Sequence, residues 1–147
     1  MLQKMKEKIK KDLCICKYEK YRKKCKRNGK KEFLIFNAPI HGNIGDHAII
    51  YSEYKMLEKL KIESFEIPTY EERYYFDFIK NNISDNATIA ITGGGFIGSQ
   101  WLIEENLVNK VVETFKNHKI MIFPATIFFK NDNQGEKESE KSVEIFN

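Results

Sequence analysis

A chain of 147 residues, 41% hydrophobic and 31% charged, carries enough apolar material for one core and a single folded domain. No run approaches the roughly 18 to 20 apolar residues of a membrane span, and the N-terminus is too charged to contain the apolar centre of a signal peptide, so a cytoplasmic protein is expected. The net charge of +4 conceals an asymmetry: residues 1–31 hold 14 Lys or Arg against Glu7, Asp12 and Glu19, a net +11, and the remaining 11 basic and 18 acidic residues leave −7 on residues 32–147.

Residues 1–31 read as a basic helical leader, and residues 32–147 as an α/β domain. Leu2, Met5, Ile9, Leu13 and Cys16 recur at three- and four-residue spacings, a narrow apolar stripe on a helix that runs to about Lys26 and is stopped by Asn28-Gly29. Such a leader suits a solvated, partly helical extension, or attraction to anionic lipid headgroups in peripheral contact with the inner membrane surface. Nucleic acid is not expected, because the acidic body offers no matching positive surface. Cys14, Cys16 and Cys25 all lie in this segment, odd in number and without a C-x-x-C pair, and His41, His47 and His118 stand at no ligand spacing from them. Reduced thiols and no metal site are therefore expected.

Beyond the leader, short apolar runs alternate with helical patterns. Strands are predicted at residues 33–37, 64–67, 88–92 and 119–123, the second closed by Pro68 and the last by Pro124. Ile50, Tyr54, Leu57 and Leu60 mark one face of a helix that Asp46 caps and that runs to about Lys61. Tyr74, Tyr75, Phe78 and Ile79 mark a second helix within 70–82, and Ile103, Leu107, Val111 or Val112 and Phe115 mark a third. Residues 135–147 begin a further helix. The alternation predicts a Rossmann-like parallel sheet with helices on both faces, wound right-handedly. In such a sheet the loops at 38–46, 93–100 and 124–130 should converge at the carboxyl edge into one site.

Two loops carry the candidate chemistry. His41-Gly42-Asn43-Ile44-Gly45-Asp46-His47 follows the first strand and opens a helix; Asn43 suits both a turn and sugar hydroxyls, Asp46 both a cap and a ligand contact, and His41 and His47 flank the loop either as acid–base candidates or as surface histidines with no partner. Gly93-Gly94-Gly95 follows the third strand and either lets the chain turn tightly or presents backbone N–H groups to phosphate or carboxylate oxygens. Gly93-x-Gly95-x-x-Gly98 also matches the dinucleotide fingerprint, which makes a nucleotide-binding oxidoreductase a minor alternative. That fingerprint needs an acidic residue at the end of the next strand, where this chain has Pro124-Ala125. Trp101, just past the glycines, is placed either against a sugar face or under a loop as core.

Taken together, His41 to Ile49, then Ile91-Thr92-Gly93-Gly94-Gly95, then Lys119 to Phe129 with its Pro124-Ala125-Thr126-Ile127-Phe128-Phe129 run, resemble the polysaccharide pyruvyl transferase family in order and spacing. The resemblance implies two Rossmann-like halves facing across a cleft, as in one class of glycosyltransferases, with this chain as the N-terminal half. It implies transfer of a pyruvyl group from phosphoenolpyruvate to two sugar hydroxyls in cell-surface polysaccharide biosynthesis. Phosphoenolpyruvate is the donor substrate, no cofactor is implied, and the partner is a saccharide acceptor, free or lipid-linked. On this likeness Asp46 and His47 are the candidate catalytic groups, and Gly42, Asn43, Gly45, Gly93, Gly94, Gly95 and Thr126 the candidate substrate contacts. The reaction needs an acid for the enol carbon, cations for carboxylate and phosphate, and a base for the sugar hydroxyl. Phe96 stands where members commonly carry Asn and Ala125 where they carry Gln. The chain ends where a second half is expected to begin, so a truncated relative that binds a saccharide or partner without catalysis is the alternative.

Overall fold

The structure, a computed structural model, describes residues 1–146. Helix α1 (Leu2–Arg27) leads into strand β1 (Phe33–Ala38), helix α2 (Ile44–Lys59), strand β2 (Phe65–Pro68) and helix α3 (Glu72–Asn82). Strands β3 (Thr88–Ile91) and β4 (Gly94–Gly98), helix α4 (Leu102–Thr114), strands β5 (Lys119–Ile122) and β6 (Ala125–Phe128) and helix α5 (Asn133–Phe146) complete the chain. Strands β2-β1-β3-β5 form one parallel sheet in that order, with Leu34 opposite both Phe65 and Ile89, and Ile89 opposite Ile120. The molecule is a Rossmann-like α/β fold.

Alternation along the central strands explains why they read as continuous apolar runs. Leu34, Phe36, Ile89 and Ile91 point to one face, where α1, α3 and α4 supply Tyr18, Tyr75, Ile79, Val108 and Phe115. Phe33, Ile35 and Ala90 point to the other, against Leu57 and Tyr54 of α2. With both faces covered, no polar position remains to betray the two-residue period.

The N-terminal segment is helical, as its spacing predicts, but it is packed rather than solvated. Its buried side is Cys14, Tyr18, Tyr21 and Cys25, while Leu2, Met5, Ile9 and Leu13 face water. The reason is hydrogen bonding as much as apolarity. Tyr18 donates to Glu32 Oε2 at 2.6 Å, and the same buried carboxylate accepts from the Ser84 backbone N–H at 3.2 Å. The Tyr21 hydroxyl accepts from the Phe33 N–H at 2.8 Å and lies 3.0 Å from the Glu63 carbonyl to which it donates. A stripe of leucines has no way to satisfy these groups at the start of the sheet. Burial, reinforced by Glu32, pushes the Tyr18 hydroxyl pKa far upward, so it remains a donor.

A second departure lies beside the sheet. The predicted loops at 93–100 and 124–130 contain strands β4 and β6, which pair in parallel as a two-stranded sheet, Gly94 opposite Ala125 and Gly98 opposite Phe128. Gly98 has φ +118°, and a Cβ there would stand 2.0 Å from the Phe128 carbonyl oxygen. The glycine thus permits a backbone approach that local propensity does not encode.

If α1 is held by its polar contacts, Tyr18→Phe leaves a buried carboxylate short of a donor and should cost about 1–3 kcal/mol of unfolding free energy. Leu13→Ala, on the exposed side, should stay within about 0.5 kcal/mol. Urea denaturation of both variants checks the contrast; equal losses would return the stripe to the core.

Candidate functional site

The first wall of the site is the turn between β1 and α2. Asn43, not Asp46, caps α2: its Oδ1 accepts from the Gly45 N–H at 3.0 Å, while its Nδ2 donates to Asp46 Oδ2 at 2.8 Å. One side chain thereby ends the orphaned N–H row and aims the carboxylate. His41 Nε2 lies 3.5 Å from the same Asp46 oxygen, so Oδ1 is left for an incoming donor. His47 points back along the turn, its Nε2 2.6 Å from the His41 carbonyl.

The floor is the glycine run. Glu53, buried on α2, accepts from the Gly93 N–H at 2.7 Å and from the Thr92 hydroxyl at 2.9 Å. Glu105, buried on α4, accepts from the Gly98 N–H at 2.9 Å and from the Ser142 hydroxyl of α5 at 2.7 Å. Two helical carboxylates therefore grip the two ends of β4. Behind the floor, a Cβ on Gly93 would stand 2.4 Å from the Pro124 carbonyl oxygen, so glycine is required where the two chain segments cross. The dinucleotide alternative is overturned here: its glycines must lead directly into a helix whose N-terminus faces the pyrophosphate, and these continue as a strand with the Gly93 amide already occupied.

Between wall and floor opens a cleft of about 580 Å³ at the carboxyl edge of the sheet. Its lining joins Asn37, His41, Asn43 and Asp46 from β1 and the turn into α2, Thr69 and Tyr70 from the turn after β2, Thr92, Gly93, Gly95 and Phe96 from the end of β3 and β4, and Trp101 and Glu104 from the start of α4. Of the residues singled out from sequence, His41, Asn43, Asp46, Gly93, Gly95 and Trp101 thus share one cavity. Gly42, Gly45, Gly94 and His47 belong to the adjoining backbone and are not in the lining, and Thr126 lies exposed on β6, away from it. The expected third loop, 124–130, is replaced in the cleft by the turn after β2.

That turn supplies residues the sequence patterns missed. Thr69 donates to Asn37 Oδ1 at 3.1 Å and to the Ala38 carbonyl at 3.0 Å, joining the ends of β1 and β2. Asn37 and Tyr70 both take left-handed backbone angles, φ +65° and +66°. Asn tolerates this conformation; for Tyr it costs on the order of 1 kcal/mol. The Tyr70 hydroxyl, which donates to Glu104 at 3.3 Å, fixes the strained residue over the cavity mouth, and the neighbouring carboxylate raises its pKa. Trp101 is 54% exposed and lines the cleft, so it is not a core residue. Positive φ at Asn37 and Tyr70 had no sequence signal beyond the adjoining prolines, Pro39 and Pro68.

Chemically, the cleft offers amide, hydroxyl and carboxylate groups together with aromatic side chains. Its charged side chains are Asp46 and Glu104, and no Lys or Arg lines it among the described residues. No three His, Cys, Asp or Glu side chains converge as metal ligands among those residues.

Burial raises the Glu53 pKa above its ordinary 4.5, against the lowering effect of the Gly93 and Thr92 donors. A raised acid binds its proton more tightly in the native state, so this contribution is complete below about 4.5 and is lost as pH rises through the folded value. Glu53→Gln should remove that slope: wild type loses stability relative to the variant between pH 4 and 8, read by urea denaturation across that range. Parallel curves would show that Glu53 titrates as an ordinary carboxyl.

Comparison with known proteins accords with this geometry. The family model described as polysaccharide pyruvyl transferase matches residues 43–144, from the cap of α2 into α5. The chain is 31% identical over 121 residues to "General stress protein 30" of Bacillus subtilis (strain 168), covering 81% of this chain and 35% of that protein. It is 31% identical over 105 residues to "Pyruvyl transferase 1" of Schizosaccharomyces pombe, covering 69% of this chain and 26% of that one. The chain spans about a third or less of the length of these curated relatives. With a family match over most of its length and a sheet edge that gathers the matched loops into one cleft, the chain belongs to the polysaccharide pyruvyl transferase family.

Proposed function

We propose that this chain forms the saccharide-acceptor side of a pyruvyl transferase cleft, serving transfer of pyruvyl from phosphoenolpyruvate to a hydroxyl pair in cell-surface polysaccharide biosynthesis. The observation that carries the reading is the composition of the cleft: Asn37, Asn43, Asp46 and Glu104 for hydroxyls, Tyr70 and Trp101 for the apolar face of a sugar ring, and no Lys or Arg among the described residues. Carboxylates and amides suit polyhydroxyl ligands, and exposed aromatic rings suit their C–H faces. Phosphoenolpyruvate, with its carboxylate and phosphate, calls for Lys or Arg, and neither lines this cavity among the described residues. Free Cys14, Cys16 and Cys25 fit a step in the reducing cytoplasm.

In this arrangement Asp46 Oδ1 takes the proton of the attacking hydroxyl, and Asn43 holds the carboxylate through Oδ2. His41, 3.5 Å from that oxygen, stabilises the charge when protonated. The donor's enol carbon gains one proton to become the methyl group, the two hydroxyl oxygens bond to the adjacent carbon as its C–O bond to phosphate breaks, and phosphate departs with that oxygen and the second hydroxyl proton. Groups that bind the donor and protonate its carbon lie outside this cavity. The absence of Lys and Arg from the lining, among the described residues, also supports a second reading, in which the chain binds saccharide without turnover.

Calorimetric titration with hexose oligosaccharides bearing free hydroxyl pairs should show binding, weakened about 10- to 100-fold in Asp46→Asn and Asn43→Ala at unchanged circular dichroism. Phosphoenolpyruvate alone should give no heat. Consumption of phosphoenolpyruvate by the chain with acceptor sinks both the division of labour and the non-catalytic reading; absence of any saccharide binding sinks the acceptor assignment.

A further inference from the structure

Helix α1 is apolar on two opposite faces. Cys14, Tyr18, Tyr21 and Cys25 turn one of them into the core. Leu2, Met5, Ile9 and Leu13 form the other and are 63%, 55%, 52% and 59% exposed. Ile9 and Tyr18, nine residues apart, stand about 180° from one another around the helix, so no rotation of α1 buries both sides in this fold. The exposed row extends for about 16 Å along the axis.

Charge says what covers it. Lys10 and Lys24 are engaged with the acidic body, at 2.9 Å from Glu71 and 2.5 Å from Glu63. Lys6, Lys17 and Lys20, each three or four residues from a member of the outward stripe or from Cys16, make no ion pair among the described residues. The outward face thus combines large apolar side chains with unneutralised lysines, in a segment of net charge +11 on a body of −7. Pairing this face with a second copy of the chain would bring lysine rows together, which like-charge repulsion opposes.

We propose that this face docks α1 onto an anionic lipid bilayer, with Leu2, Met5, Ile9 and Leu13 at the boundary between headgroups and acyl chains and Lys6, Lys17 and Lys20 against lipid phosphates. The helix lies along the surface; among the described residues no helix is long and apolar enough to cross a membrane. Docking goes beyond the acceptor reading and does not depend on it, since it needs neither donor nor sugar.

The whole chain is sedimented with phosphatidylcholine vesicles containing one-third phosphatidylglycerol, and with vesicles of phosphatidylcholine alone. Partitioning should be at least about tenfold stronger with the anionic lipid and should fall steeply in about 0.5 M salt. The double variant Ile9→Glu, Leu13→Glu should lose about tenfold in partitioning with its unfolding midpoint unchanged, because both positions face solvent. If the variant unfolds, the salt and lipid comparisons on the unaltered chain still decide. Equal partitioning into both vesicles, or none into either, overturns the proposal. A dimer in light scattering that the double variant abolishes, without vesicle binding, assigns the face to a second copy and overturns it as well.

Discussion

The contact between the buried Glu53 carboxylate and the Gly93 amide organises the cleft. It converts the end of β3 from a loop with open N–H groups into the start of a second, smaller strand system, and Glu105 repeats the device at Gly98. A buried carboxylate is costly to leave unpaired, and so is a buried amide; placing each against the other satisfies both. The glycine run therefore lies flat under the cavity, close enough to Pro124 that only a residue without Cβ fits at Gly93. On the opposite wall the cap residue Asn43 performs two tasks at once, closing the N-terminus of α2 and holding Asp46 by its Oδ2.

Electrostatics divides the molecule. The cavity carries Asp46 and Glu104 among its lining and the basic residues collect on α1. In the proposed reading a neutral, hydroxyl-rich ligand occupies the cavity and an anionic surface meets the helix. The core-facing side of α1 takes part in neither, since Tyr18 and Tyr21 use it to anchor the start of the sheet through Glu32, Phe33 and Glu63.

Much of the fold was legible because its signals are local. Runs at 33–37, 64–67, 88–92 and 119–123, helical spacing between them, and Gly or Pro at the boundaries predicted the four strands of the main sheet and the helices that cover it. The G-N-x-G-D turn was legible for the same reason, since capping and tight turning are decided within a few residues. Less legible were the assignments that depend on partners far along the chain. Asn43 rather than Asp46 caps α2, because the amide reaches both Gly45 and Asp46. Glu53 and Glu105 carry no signal in the sequence; their roles emerge only with the amides they accept from, 40 and seven residues away, in place. Strands β4 and β6 are rich in glycine or exposed at an edge, and each exists only because the other pairs with it.

The amino-acid sequence by itself determined the α/β class, the strand order of appearance, the polarity of the two ends of the chain, and the family to which the loops at 41–49 and 91–95 belong. Tertiary structure alone decided which face of α1 is buried, which turn completes the cleft, and that the glycine run is a strand with its first amide occupied. The physical reason is the range of the interactions involved. Periodicity, caps and turns are settled between residues a few positions apart. Burial of Glu32, Glu53 and Glu105 is favourable only where donors from distant segments converge, and Tyr70 keeps its strained backbone only where Glu104 on another helix meets its hydroxyl.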